Sequence, residues 1–484
     1  VEADSRRTMQ TDFSAVLRRG TLFAALTALQ TLALAQGDPF GTLAAVPPIT
    51  GIRVLTPPCQ PTEMGKPLEL ADVVEVALCS NPQSRQAWAS ARVEAAQVGV
   101  AQSAFLPSLS ASASISRQRT ETALGDDATK RRGAAIGLDY VLFDFGARSA
   151  NLENARQLFA AASFARDATV QSLFLAAIQA YFQRQAAAAA VEASRLSEKA
   201  ALESLNAAEA RYRVGTATPA DRLQARTAHA QAVLNRISAE GLQKTAQGTL
   251  ANVMGLDPTR PLQLAPLPPG RPGADFEADI ARLIGEARAL RPDLAAAEAG
   301  FRAAQASVEA ARAAHLPTLS LGIGAQASRL SGQPTYDSST LGLTLTIPIF
   351  SGFSTTYRVR TAEALADLQA ARRDQVSLQV ALDVWNAQSS LVTATQSVKT
   401  AEELLESAVQ SERVVAGRYR AGVGNILDLL ASQAALANAR LQRIQAGYNW
   451  FIARASLAQA LGALDAGLLS ALFPPALSAG GRSE

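Results

Sequence analysis

The sequence predicts a mostly α-helical, internally duplicated chain with four strands of a membrane β-barrel, a barrel shared between copies and continued by a long α-helical tunnel. Three observations predict it. Short motifs recur in order at a nearly constant offset; two stretches are far longer than the helices of a compact globule; four segments alternate apolar and small polar residues without a break.

The repeat comes first, because it sets the frame for every other element. Asn81-Pro82 and Arg291-Pro292 lie 210 positions apart, as do Ala104-Phe-Leu-Pro-Ser-Leu-Ser110 and Ala314-His-Leu-Pro-Thr-Leu-Ser320. Arg211-Tyr-Arg-Val-Gly215 returns as Arg418-Tyr-Arg-Ala-Gly422, and Ala251-Asn-Val-Met-Gly255 as Ala458-Gln-Ala-Leu-Gly462, both 207 apart. A shift of three positions over half the chain indicates duplication of a whole unit. The expected organisation is residues 1–35 as signal peptide and upstream residues, 36–70 as an irregular Pro-rich arm, and 71–255 as the first repeat. Residues 256–279 form a connector, 280–463 the second repeat and 464–484 a C-terminal tail.

At the N-terminal end, Arg18 and Arg19 precede an apolar run from Gly20 to Leu34 that closes on Ala33-Leu34-Ala35. A basic region, a short apolar region and an A-x-A end describe a secretory signal. The run is too short and too rich in Thr and Gln for a membrane anchor. Gln36 follows, so a lipid-bearing cysteine is not expected there, and residues before Met9 read as upstream of a translation start. Cys59 and Cys79 are the only cysteines; in an oxidising compartment they could pair, and a buried free thiol at Cys79 is the alternative.

Within each repeat a helix is expected first, over about Ala71–Phe105 and Ile280–His315, ended by Pro107 and Pro317. Two strands separated by a polar loop follow. Next come Ala147–Arg213, free of Gly and Pro, and Ser354–Arg420, which holds only Gly417. Each is about 100 Å long as a helix. After a Gly-containing turn, another helix is expected over about Thr218–Met254 and Asn425–Leu461. Two shorter helices stacked end to end match one long one, giving four columns per chain. Such helices require lateral partners along their length.

The strands decide the class. Leu109, Ala111, Ala113 and Ile115 alternate with Ser108, Ser110, Ser112, Ser114 and Ser116. Leu319, Leu321, Ile323 and Ala325 alternate with Thr318, Ser320, Gly322, Gly324 and Gln326. The return strands place Ile136, Leu138, Tyr140 and Leu142, and then Leu341, Leu343, Leu345 and Ile347, on one face. Period-two patterning of this length marks a barrel strand with lipid on one side and a lumen on the other. A soluble sheet with one wet face has the same period, but the other face here is Ser, Gly and Thr rather than charge. Phe105, Phe143, Phe145, Phe350 and Phe353 gather at one end, where an aromatic girdle lies. Four strands cannot close a barrel, since about eight are needed, so several copies share one.

These features together resemble the TolC family of outer-membrane factors over essentially the whole chain beyond the signal. The resemblance includes Leu142-Phe-Asp-Phe-Gly146 and Ile349-Phe-Ser-Gly352 at the strand-to-helix junctions (Phe143 and Phe350 with Pro107 and Pro317). It extends to the Tyr-x-x-Gly turns Tyr212–Gly215 and Tyr419–Gly422 at the hairpin tips. It implies a homotrimer with a twelve-stranded barrel in outer-membrane lipid and a helical tunnel in the periplasm. It also implies an exit duct for an inner-membrane exporter joined through a periplasmic adaptor. Within the family the resemblance favours members that serve an ABC-type exporter and pass a protein toxin by type I secretion; a drug or metal efflux duct of a proton-driven pump is the alternative.

For the entrance, the resemblance implies a lock of a tyrosine, an arginine and two aspartates. Tyr419 and Asp428 match the tyrosine and the first aspartate, Gly424 stands in place of the arginine and Ala431 in place of the second aspartate. Asp221 matches the linking aspartate of the first tip, beside Tyr212 and Gly215. Thr218-Pro-Ala-Asp221 also reads as a capping box, and Asn425-Ile-Leu-Asp428 repeats it. Arg211, Arg213, Arg418 and Arg420 suit helix C-termini and are available to carboxylates.

Other classes are excluded or disfavoured. Basic and acidic residues intermix, with a net charge of +3, so no nucleic-acid footprint is present. His229 and His315 stand apart from ligand or nucleophile partners, so no catalytic residue, metal or cofactor is expected. A soluble helical scaffold leaves the signal and the strands unexplained.

Overall fold

The computed structural model describes residues 38–42, 46, 66–122, 125–265 and 279–464. The signal segment, Cys59 and nearly all of the arm and C-terminal tail lie outside the described residues. Residues 38–42 belong to a separate unit, Val1–Ala45, where Gly41 N donates to Asp38 O at 3.1 Å. Everything below concerns the unit Val46–Glu484.

Two copies of one element order follow each other. The first is α1 (Leu70–Ser80), α2 (Pro82–Ser103), β1 (Ser108–Thr122), β2 (Gly125–Phe143), α3 (Ala147–Arg213) and α4 (Pro219–Val253). The second is α5 (Ile280–Leu290), α6 (Pro292–Ala313), β3 (Thr318–Leu330), β4 (Tyr336–Thr346), α7 (Ser354–Arg420) and α8 (Ile426–Ala460). The opening helix of each repeat, expected as one piece, is two. Proline disfavours helical backbone in the residue before it, and Asn81 (ψ 132°) and Arg291 (ψ 123°) are extended. Each is the N-cap of the next helix, with proline at its first position.

Those breaks are where the columns stack. The left-handed Gly255 (φ +69°) sits so close to the first break that a Cβ there would lie 2.7 Å from Ser80 O and 2.9 Å from Asn81 N. Asn81 Nδ2 donates to Val253 O at 2.9 Å. In the second repeat a Cβ on Gly462 (φ +73°) would lie 3.0 Å from Leu290 O and 3.1 Å from Arg291 N. Arg291 is held by Asp293 and, at 2.8 Å, by Asp383 of α7. Burial works against the Arg291 charge, but the two carboxylates outweigh it and raise its pKa.

Four columns result: α2 with α4, then α3, then α6 with α8, then α7. α3 packs on α2 and α4 to one side and on α6 and α8 to the other, while α7 packs on α5, α6 and α8. The wall is thickest at mid-height, where α1 lies on α3. There Phe182 stacks on Phe451 at 5.0 Å, among Val73, Leu78, Ile178 and Leu250. Arg166, 1% exposed, is also enclosed, its guanidinium 4.5 Å from the Trp88 ring and paired with Asp167. Cys79 is disulfide-bonded. Away from this belt the buried positions are mostly alanine, such as Ala91, Ala155, Ala208, Ala299 and Ala439, which lets the helices approach closely without a deep core.

The sheet is an antiparallel meander in the order β1-β2-β3-β4. Its register places Leu109 opposite Leu138, Leu138 opposite Ile323 and Ile323 opposite Leu341. One row lower, Tyr140 faces Leu321 and Leu321 faces Leu343. The alternation of the sequence therefore becomes one apolar face and one face of Ser, Gly and Thr. The expected polar loop after Ser116 is instead strand: pairing continues from Arg117↔Lys130 to Thr122↔Gly125. A ladder needs only backbone groups, so it outlasts the side-chain pattern that reveals it.

Among the described residues no helix makes an extended contact with the sheet. Ile115, Leu341, Leu343 and Leu345 are all more than half exposed. A soluble sheet buries such a face; this one is uncovered, as lipid contact requires.

Candidate functional site

The candidate site residues fall in two places: the junction of sheet and helices, and the hairpin tips about 100 Å away along α3 and α7.

At the junctions, Pro107 and Pro317 each follow a helix that has already ended, at Ser103 and Ala313, and lead directly into β1 and β3. The return path reverses direction through two successive left-handed residues, Phe145 and Gly146 in the first repeat, Gly352 and Phe353 in the second. Phenylalanine rarely adopts positive φ, so each is held from outside. Phe145 packs edge-on against Phe143 at 4.6 Å and Phe353 against Phe350 at 5.5 Å. Asp144, 9% exposed, accepts from Gly146 N at 3.3 Å and Arg148 N at 2.9 Å and pairs with the Arg148 side chain. Arg148 in turn lies 5.0 Å over the Phe105 ring. The second repeat replaces Asp144 with Ser351, whose hydroxyl is 2.8 Å from that of Thr355.

At the tips both long helices end on the same glycine-dependent motif. Thr216 N donates to Arg211 O and Gly215 N to Tyr212 O; Val423 N donates to Arg418 O and Gly422 N to Tyr419 O. Gly215 (φ +76°) and Gly422 (φ +80°) supply the left-handed residue that this C-terminal cap requires. Gly424 has a different reason. A Cβ there would stand 3.0 Å from Tyr419 N and 3.2 Å from Arg418 C, so the loop lies flat on the end of α7 with no space for a side chain.

The two tip aspartates part company. Asp221 completes a capping box with Thr218, at 2.9 and 3.2 Å in the two directions. At the second tip Asn425 caps Asp428 N at 2.7 Å, but the Asp428 carboxylate does not return the bond. The expected second box is only half formed, and Asp428 is exposed with its charge uncommitted.

The tyrosines differ as well. Tyr419 is 6% exposed, packed with Ala416, Ile426 and Leu429. Arg211 lies 4.1 Å over its ring and donates to Tyr419 O at 2.5 Å. One guanidinium from the first hairpin thus covers the ring and caps the last carbonyls of the second, a cation–π contact joined to a charge-assisted bond. The expected arginine–carboxylate link is not formed by Arg211. Tyr212 remains partly exposed, with Arg222 of its own hairpin 4.6 Å above it. The position equivalent to Arg222 in the second repeat is Leu429, which is why Tyr419 is buried on that side and open to Arg211 on the other. The paired Arg-Tyr-Arg motifs carried the signal for this clasp, but only contact between the halves shows which arginine meets which tyrosine.

The family described as outer membrane efflux protein matches residues 73–256 and 283–463, one range for each repeat. The chain belongs to that family. This outer membrane efflux protein is 33% identical over 396 residues to protein CyaE of Bordetella pertussis, covering 80% of this chain and 82% of CyaE. It is 26% identical over 412 residues to outer membrane efflux protein BepC of Brucella suis, covering 82% and 86%. In three dimensions it is similar to the outer-membrane channel OprN, with a TM-score of 0.74 and 22% identity over 87% of this chain and 98% of that one. The protein is accordingly a non-enzymatic channel of the outer membrane, with its helices extending into the periplasm and the tips at their far end.

Proposed function

We propose that three copies close into one duct that forms the exit of a type I secretion system, with a periplasmic adaptor and an ABC-type exporter behind it and a polypeptide as cargo. The observation that supports closure is that both layers end in open edges. β1 and β4 each have one neighbour in the sheet, and an unpaired strand edge in lipid costs several kcal/mol per group. The helical wall repeats the situation. Its first column exposes Val93, Val100, Leu234 and Leu242, its last Leu378, Leu382, Trp385 and Val414. Joining last column to first and β4 to β1 removes all four edges at once, in a head-to-tail contact that closes only as a ring. Three copies are the family expectation.

At the entrance the Arg211–Tyr419 clasp holds the two hairpins of one protomer together, and Asp428 supplies a ring of three carboxylates where cargo enters. Gly424 and Ala431 leave the family's remaining lock positions empty of charge. Asp221, held in its capping box, serves the hairpin rather than the lock.

Polypeptide export is supported by the resemblance to toxin-exporting members and by the identity to CyaE. It is supported too by the small, mostly uncharged side chains of the polar sheet face. Drug or metal efflux is the second reading, favoured by likeness to a relative named for efflux, BepC. Crosslinking in cells followed by purification of this chain decides between them. Recovery of an ATP-hydrolysing exporter together with an adaptor is expected; recovery of a proton-driven pump instead would refute type I secretion.

A further inference from the structure

The strand register sorts basic residues as well as apolar ones. Above the apolar rows, the same outward face carries Arg117 directly opposite Lys130 and Arg132 directly opposite Arg329, with Ile115 completing the latter row. All four are exposed. Arg119 continues the face one row further along β1. Like charges set directly across a ladder destabilise it, and here two such pairs stand in adjacent rows. Asp337, opposite Ala327 in the row below, puts one carboxylate on this face against the four cations; a polyanion lying against the outside would offset the repulsion that remains.

Their height is informative. From Leu319, in the lowest apolar row of β3, to Arg329 is ten residues, about 33 Å along a strand and about 25 Å along the normal at the usual barrel tilt. That is the height of the apolar band of an outer-membrane barrel. The aromatic pairs Phe143–Phe145 and Phe350–Phe353 mark the band's periplasmic limit, so the four cations stand at its far limit, outside the lumen.

We propose that Arg117, Lys130, Arg132 and Arg329 form a belt around the barrel that binds phosphate-bearing headgroups of the outer leaflet. The proposal rests on the apolar face being lipid-facing. Cargo is not the ligand, because the polar face, with Ser110, Ser114 and Gly324, is the opposite one. Arg131 provides the control: it lies opposite Ser116, on the lumen side.

The test uses the purified full-length assembly in detergent, titrated with phosphatidylglycerol and with phosphatidylcholine and read by native mass spectrometry. Wild type is expected to bind the anionic lipid about tenfold or more tightly than the zwitterionic one. The preference should disappear when Arg117→Gln, Lys130→Gln, Arg132→Gln and Arg329→Gln are combined, survive in Arg131→Gln, and resist millimolar inorganic phosphate. If the fourfold variant does not assemble, the pair Arg117→Gln with Arg132→Gln is expected to lose most of the preference. An unchanged preference in an assembled variant, or the same loss in Arg131→Gln, would overturn the belt. Fractionation separates the two ideas: wild type absent from outer membranes would refute the lipid-facing barrel itself, whereas membrane-inserted variants with wild-type lipid binding refute only the belt.

Discussion

Gly255→Ala is expected to cost about 3 kcal/mol or more and to lower the yield of assembled protein sharply. Two penalties add. An alanine with positive φ loses about 1–2 kcal/mol, and its Cβ would press on backbone atoms of Ser80 and Asn81, the nearest at 2.7 Å, which cannot swing aside as a side chain can. Overpacking of that kind typically adds 1–3 kcal/mol. Gly462→Ala meets Leu290 and Arg291 at 3.0–3.1 Å, so its effect should be smaller but of the same kind. Gly215 and Gly422 have nothing within 4 Å, and alanine there should cost only the conformational term, about 1–2 kcal/mol. Thermal unfolding followed by helical circular dichroism should rank the midpoints in that order. Equal shifts at all four would show that the columns do not stack through these glycines.

The second large effect is expected at the entrance. Arg211→Ala removes the cation over the Tyr419 ring and the cap on the end of α7 together. A desolvated cation–π contact contributes about 2 kcal/mol and a hydrogen bond to a charged group about 1.5–3. A loss of this size moves a closed entrance to a largely open one, since about 1.4 kcal/mol is tenfold in an equilibrium. In planar bilayers Arg211→Ala should raise single-channel conductance several-fold over wild type. Arg211→Lys should restore only part of the closure, because an ammonium lacks the planar face and the forked donors. Asp428→Asn should act differently, lowering cation preference with little change in closure, as loss of a carboxylate ring predicts. If Arg211→Ala conducts like wild type, the clasp does not hold the entrance.

Much of this fold is written locally. The alternation of Leu109–Ile115 and Leu319–Ala325 leads straight to a register in which apolar residues face apolar ones, because a one-residue slip would turn each strand over. The long helices are equally plain, since nothing between Ala147 and Arg213 interrupts them. The break at Asn81-Pro82 is missed by a reading that runs one helix from Ala71 to Phe105, although the proline stands there; its purpose depends on Gly255, which arrives from the far end of α4. The extension of β1 and β2 past Ser116 hides for another reason: charged residues on a strand past the apolar rows keep the ladder and lose the pattern. Least legible was the tip. Arg211 and Arg418 occupy equivalent places in the duplicated motif, and the choice of Arg211 as the partner of Tyr419 turns on how the two halves meet, 208 residues apart.

The shared duct itself can be tested at its seam. Ser110→Cys on β1 and Thr340→Cys on β4 lie in one row of the sheet, joined through Gly137 and Gly324. Three strand spacings, about 14 Å, separate them within a chain. A bismaleimide of about 8 Å therefore cannot bridge them inside one copy, and Cys79, being disulfide-bonded, does not compete. A closed barrel staggers β4 against β1 of the next copy, so Ser110→Cys is paired in turn with cysteines along the lumen face of β4, at Tyr336, Ser338, Thr340, Gly342, Thr344 and Thr346. Closure predicts that at least one pair gives covalent dimers and then a trimer as the limiting product on denaturing gels. Monomer alone at every pair, or a ladder continuing past three, would contradict a closed three-chain barrel.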